Sequence, residues 1–202
     1  MKYLQPYFYV ASPAMKLAML IATSLLSGAG TAYAANTTDI THAELTPVIT
    51  LYRQVENGSD RPCPFELPAL GSVAPIKLLP KDACPRKEDE DEDKDKPFKA
   101  HSIRIHNMPI KSTVLLVDSD TCTKEGHAWV ELDTSRANAS LEKMGIDKIW
   151  TYAGNQEKPG YVYNKGEDNQ TPSFGVRIIG KGNPIEPGEL ACIVVTLPKR
   201  SN

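Results

Sequence analysis

Apolar and polar positions alternate over short stretches of this 202-residue chain, and few of them recur at the spacing of a helix. The clearest stretch is His101–Thr134. Within it Ser102–Ile105, Thr113–Asp118 and His127–Asp133 are rich in β-branched, aromatic and aliphatic residues and are bounded by turn formers. In His127–Asp133, Ala128, Val130 and Leu132 fall on one face, and His127, Trp129 and Glu131 on the other. That is the period-2 pattern of a half-buried strand. The turns at Asn107–Met108–Pro109 and over Ser119–Gly126 leave no room for a crossover helix. The reading is therefore a three-stranded antiparallel meander.

The same pattern extends both ways. Pro47–Arg53 reads as a first strand, turned at Glu56-Asn57-Gly58-Ser59 and returning over Cys63–Leu67. The proline-rich stretch Pro68–Pro85 holds one short apolar piece, Ile76–Leu79. Ser135–Met144 predicts a short helix, capped by Ser135 or Thr134 and ended by Gly145. Ile146–Tyr152 and Tyr161–Tyr163 read as strands, and Phe174–Gly180 with Leu190–Leu197 as a final hairpin across Lys181–Glu189. About nine or ten short strands with one helix predict an all-β fold, an antiparallel β-sandwich or Greek key over residues 47–202.

The N-terminus changes the setting. Lys16, the apolar run Leu17–Leu26 and the small residues ending in Ala32-Tyr33-Ala34 make an export signal over residues 1–34 with an A-x-A cleavage pattern. The apolar run is too short to span a bilayer, which takes about 20 residues. The expectation is a periplasmic or secreted bacterial protein with no membrane partner after cleavage, starting with a loose polar arm over 35–46. Met15 is an alternative start. The formal charge of −2 argues against nucleic acid and anionic membranes as partners.

All four cysteines, Cys63, Cys84, Cys122 and Cys192, follow the cleavage site, and an even count in an exported chain predicts two disulfides. Of the three possible pairings, Cys63–Cys84 with Cys122–Cys192 is preferred. The first closes a proline-rich loop, and the second ties the central strands to the last one. No C-x2-C spacing points to a metal.

Within an insertion over 86–97, Glu88–Lys96 carries Glu88, Asp89, Glu90, Asp91, Glu92, Asp93 and Asp95 against two lysines. Such a run repels itself and buries no apolar area, so it is expected as a solvated loop. It is also a candidate partner-binding device, steering the chain to an enzyme or toxin with a basic cleft. Trp129, on the polar face of its strand, is a second candidate anchor.

Catalytic signals are thin. No nucleophile-elbow, phosphate-loop, zinc-protease or dinucleotide motif occurs. A hydrolase reading would use His127 with Asp118 or Asp120. Asp118, Asp120 and Glu125 could start a calcium loop, but the glycine and the spaced bidentate acid are missing. No enzyme activity, cofactor or ordered metal site is expected.

The order VITLYR, a glycine hairpin, PFEL, SIRI, then TVLLVD, Gly126, HAWVEL and IDKIWTY resembles the two Greek-key motifs of a βγ-crystallin domain over residues 47–152. The family is also found in small secreted bacterial inhibitors. Tyr52 and Gly58 stand at the tyrosine and glycine positions of the first motif, and Gly126 at the glycine of the second. The family's paired acids and Ser-Ser before SIRI and IDKIWTY are absent, so calcium binding is not implied. Together these features predict a non-enzymatic protein-binding module of inhibitor or immunity type. The alternatives are a carbohydrate- or calcium-binding surface module or, third, a hydrolase.

Overall fold

The computed structural model describes residues 45–54, 58–68, 74–84, 98–163 and 173–199, all within one unit spanning His42–Asn202. The predicted leader 1–34, most of the arm 35–46 and the whole acidic insertion 86–97 lie outside the described residues.

Alternation builds the first sheet. In β1 (Val48–Gln54), Ile49 and Leu51 point inward and are fully buried, and β2 (Asp60–Glu66) turns Cys63 and Phe65 the same way. Among the described residues β2 pairs only with β1, and its Pro62 and Pro64 lie opposite Tyr52 and Thr50. Two prolines of the same parity remove backbone donors along an edge strand, where proline is tolerated and where it blocks pairing with another chain. β4 (Ser102–Met108) lies on the other side of β1, and β7 (Ala139–Gly145) beyond it, giving the order β2-β1-β4-β7.

The second sheet has six strands in the order β3-β10-β5-β6-β9-β8. They are β3 (Ile76–Leu78), β10 (Cys192–Thr196), β5 (Thr113–Val117), β6 (Trp129–Thr134), β9 (Val176–Lys181) and β8 (Gly160–Tyr161). Every strand pairing in both sheets is antiparallel. Its edge strands, β3 and β8, have three and two residues, so they too offer little to a foreign strand. Ile49, Ile103, Ile105 and Leu141 of the first sheet join Leu116, Leu132, Ile178 and Ile193 of the second in one buried cluster. The arrangement is sandwich-like, and both predicted disulfides, Cys63–Cys84 and Cys122–Cys192, are formed. Two disulfides place the domain in an oxidising, extracellular or periplasmic setting.

Three expectations are overturned. The central meander is split: β5 and β6 pair as a hairpin in the second sheet, while β4 belongs to the first. Ile103 and Ile105 are needed opposite β1, and the bend at Asn107 (φ 55°) and Lys111 (φ 65°) carries the chain across. Next, the predicted helix is strand β7 and the predicted strand is helix α2 (Ile146–Thr151). Pairing of Ala139 and Leu141 with β4 overrides the helix propensity of ASLEKM. In α2, Ile146 and Ile149 are buried three apart, on one helical face. Last, β9 and β10 form no hairpin, because β5 and β6 lie between them. A second short helix, α1 (Pro80–Ala83), follows β3.

The strand order has a further regularity. β4-β1-β2 are neighbours while β3 sits in the other sheet, and β10-β5-β6 are neighbours while β7 sits in the first.

Candidate functional site

The hairpin between β5 and β6 ends in the loop Ser119–Gly126, which is held at its base, middle and tip. At the base, Asp118 N–H donates to Ala128 O (3.1 Å), and Asp118 Oδ1 accepts from Ala128 N–H (3.1 Å) while meeting His127 Nδ1 at 3.1 Å. Inside, Ser119, Thr121 and Thr123 join their hydroxyls in a ladder of 2.7 and 3.0 Å. Cys122 N–H donates to Ser119 O (2.9 Å) and His127 N–H to Lys124 O (3.2 Å). Cys122 is bonded to Cys192 of β10, and Asp120 forms an ion pair with Lys81 of α1. Asp120, Thr121, Thr123 and Glu125 remain exposed along the outside.

This geometry bears on the His127 reading. The His127–Asp118 pair is made, but the same carboxylate oxygen holds the Ala128 amide and so closes the loop. Asp120 faces Lys81, and Ser119 is buried against Thr121. Among the described residues no hydroxyl or thiol is hydrogen-bonded to His127. Nor, among them, do three His, Cys, Asp or Glu side chains gather as a metal would require.

Beside the loop lies an open polar cleft of about 510 Å³, with Lys124, Trp129 and Glu131 on one side and Asn155, Gln156 and Glu157 on the other. Trp129 is half-buried and both faces of its indole are covered. β-Carbons added at Gly180 and Gly182 would lie 3.0 and 2.4 Å from the ring, so the indole lies flat along the end of β9. Lys124 Nζ sits 4.5 Å over the ring centroid and 2.7 Å from Glu131 Oε2. One face of the candidate anchor is thus seated on its own sheet, while the residue also lines the cleft. Trp150 of α2 mirrors it: its Nε1–H donates to Gly182 O (2.7 Å), and Lys181 Nζ lies 4.5 Å over its ring. Lys181 also donates to the carbonyls of Trp150 and Tyr152, each at 2.8 Å. Sequence reasoning singles out Trp129 but not its glycine seat, although the G-K-G run 180–182 following an apolar strand is a signal. Gly182→Ala is expected to lift the Trp129 indole at a cost of about 1–3 kcal/mol. Urea unfolding and a red-shifted tryptophan emission would read it, and unchanged stability and emission would contradict the seat.

A second polar cluster, which no local pattern marks, sits on the outer face of the first sheet. The register of β7 against β4 shifts between Leu141 and Met144, so Leu141 and Glu142 are both buried. Such a bulge re-aims a side chain. The Glu142 side chain is only 6% exposed and lies 2.8 Å from Arg104 Nη2 and 3.5 Å from His106 Nε2. Its own amide donates to Ser173 Oγ (3.0 Å). Burial, and then the charge of Arg104, lower the His106 pKa below its ordinary value against the opposing pull of Glu142.

Of the predicted partner-binding residues, Trp129 lines the cleft. Glu88, Asp89, Glu90, Asp91, Glu92, Asp93 and Asp95 lie outside the described residues. No family model, characterised protein or solved structure matches the chain.

Proposed function

We propose that the chain is an exported, non-enzymatic protein-binding module of inhibitor or immunity type, and that the loop Ser119–Gly126 is its presenting element. The observation that carries this reading is the pre-organisation of the loop. It is fixed by a disulfide, an ion pair, a hydroxyl ladder and the Asp118 clamp, yet it keeps four polar side chains in solvent. A loop already ordered loses little conformational entropy when a partner binds, so more of the contact energy appears as affinity. The export signal read in residues 1–34 agrees with the oxidising setting that disulfides require.

The resemblance to βγ-crystallin domains belongs to this proposal. A Greek key places its strands in the order 4-1-2-3. Both β4-β1-β2 and β10-β5-β6 follow the 4-1-2 part, and each unit hands its third strand, β3 or β7, to the opposite sheet. Two such units are consistent with a double Greek key, but the second closes on β10 (Cys192–Thr196), so it runs past the 47–152 bounds of the resemblance, and IDKIWTY is helix α2 rather than its closing strand.

The charge of Glu88–Lys96 favours a partner with a basic surface, which would be steered by long-range attraction that salt screens. The test is capture by the immobilised chain from extracts of the producing cell and its neighbours, with Glu125→Arg as the paired control. A reversed charge on the exposed loop should weaken capture about tenfold or more, as at a central interface position. Capture indifferent to Glu125→Arg removes the loop from the reading. Hydrolytic turnover by the purified chain removes the non-enzymatic reading itself.

A further inference from the structure

We propose that Arg104, His106 and Glu142 form a proton-operated latch on the strap Ser173–Gly175, which closes the free edge of the first sheet. The strap lies along β7, where Ser140 N–H donates to Phe174 O (2.8 Å) and Phe174 N–H to Ser140 O (2.7 Å). Its far end is tied by Ser135, whose N–H and hydroxyl both donate to Gly175 O, at 2.8 and 3.1 Å. Gly175 has φ +76°, and a β-carbon there would press on Arg136 and Ala139 at 3.2 and 3.3 Å. From it the chain runs directly into β9, so the strap links the two sheets.

Glu142 joins the strap to the titratable ring. Its amide holds Ser173, and its bulge-directed carboxylate meets Arg104 and His106. Among the described residues, the charges that act on His106 are those of Arg104 and Glu142. β1 presents Val48 directly opposite the ring and Thr50 two residues on, and Lys143 of β7 is directed to Asp60 and the Tyr52 ring. Arg104 Nε and His106 Nε2 are buried and make no hydrogen bond among the described residues. A proton added at His106 therefore enters a half-buried site beside an existing guanidinium, with Arg104 on Oε2 and the ring facing Oε1 of the same carboxylate. With the ring neutral the carboxylate belongs to Arg104 and the strap is seated. With the ring charged, the arrangement that hydrates the ring and shifts Glu142 is favoured, and that arrangement loosens Ser173.

The sign follows from the lowered pKa. The folded state binds the proton less readily than the unfolded chain, so the seated state is fully favoured above the ordinary pKa of about 6.5. It loses that advantage as pH falls toward the folded value. In ¹⁵N-labelled protein titrated from pH 8 to 5, the Ser140, Glu142 and Phe174 amides should move in one transition. Its midpoint should match that of the His106 ring and lie below 6.5. Exchange at Ser140 and Phe174, corrected for intrinsic rates, should rise across it by roughly tenfold per unit of that displacement. His106→Gln should hold both readouts flat. Ser173→Ala should leave the ring titrating while the strap amides exchange fast at every pH. A midpoint at or above 6.5, strap amides that ignore the ring, or a transition that survives His106→Gln overturns the latch.

Discussion

Replacing Cys122 and Cys192 together with alanine is expected to lower the unfolding free energy by about 4 kcal/mol, and replacing Cys63 and Cys84 by about 3 kcal/mol. The difference comes from the unfolded chain. A cross-link between residues 70 apart in sequence removes more disorder than one between residues 21 apart. Packing adds to the ranking. Cys192 is fully buried in β10 between β5 and β3, so the lost bridge also loosens a central strand of the second sheet. Alanine is the right replacement, since a serine hydroxyl there would be buried and would need a partner. The same double variant frees the tip of the loop Ser119–Gly126 from β10, so capture of a partner should weaken with stability. The Cys63/Cys84 variant should lose stability while capture, measured well below its unfolding midpoint, is retained. Denaturant unfolding of the two variants checks the ranking, and equal losses would refute it.

The extent to which this architecture was legible depended on how local its causes were. β1, β5, β6 and β10 show as alternating or continuous apolar runs because their own side chains meet the core, and the disulfide pairing followed from loop length and strand placement. The failures share one cause, contacts distant in sequence. Ala139–Gly145 has good helix formers and becomes a strand because β4 offers it a ladder, and Ile146–Thr151 has β-branched residues and becomes a helix because Ile146 and Ile149 bury one side. Trp129 could be assigned to a face but not to a covering, since its cover comes from Gly180 and Gly182 some fifty residues on. The Arg104–His106–Glu142 cluster depends on a register shift, which moves one carboxylate across the sheet and leaves no mark in the local pattern.

Glycine offers the sharpest case of a residue whose role only the structure distinguishes, and it leads to the second large effect. Gly126 has φ +74° with nothing within 4 Å of an added β-carbon, so alanine there meets strain alone, about 1 kcal/mol. Gly160 has the opposite requirement. Its backbone needs no positive φ, but an added β-carbon would sit 1.6 Å from Ala153 O and 3.3 Å from Gly154 Cα. A β-carbon added at Gly154 would in turn lie 2.5 Å from Ile178 O and 2.7 Å from Gly160 N. Those two glycines close the neck of the loop 153–160. They let its tip, held by Asn155 N–H to Lys158 O (3.1 Å) and Lys158 N–H to Asn155 Oδ1 (2.7 Å), form the far wall of the cleft. The obstructing atoms are backbone and cannot rotate away, so Gly160→Ala must separate the neck and strip β8 from β9. Its cost should reach about 3 kcal/mol or more, the upper range for overpacking, against about 1 kcal/mol for Gly126→Ala. Urea unfolding of the pair tests this, with amide exchange at Val162, which donates to Val176 O at 3.0 Å, as the local readout. If Gly160→Ala costs no more than Gly126→Ala and the Val162 amide stays protected, the neck is not held by that close approach.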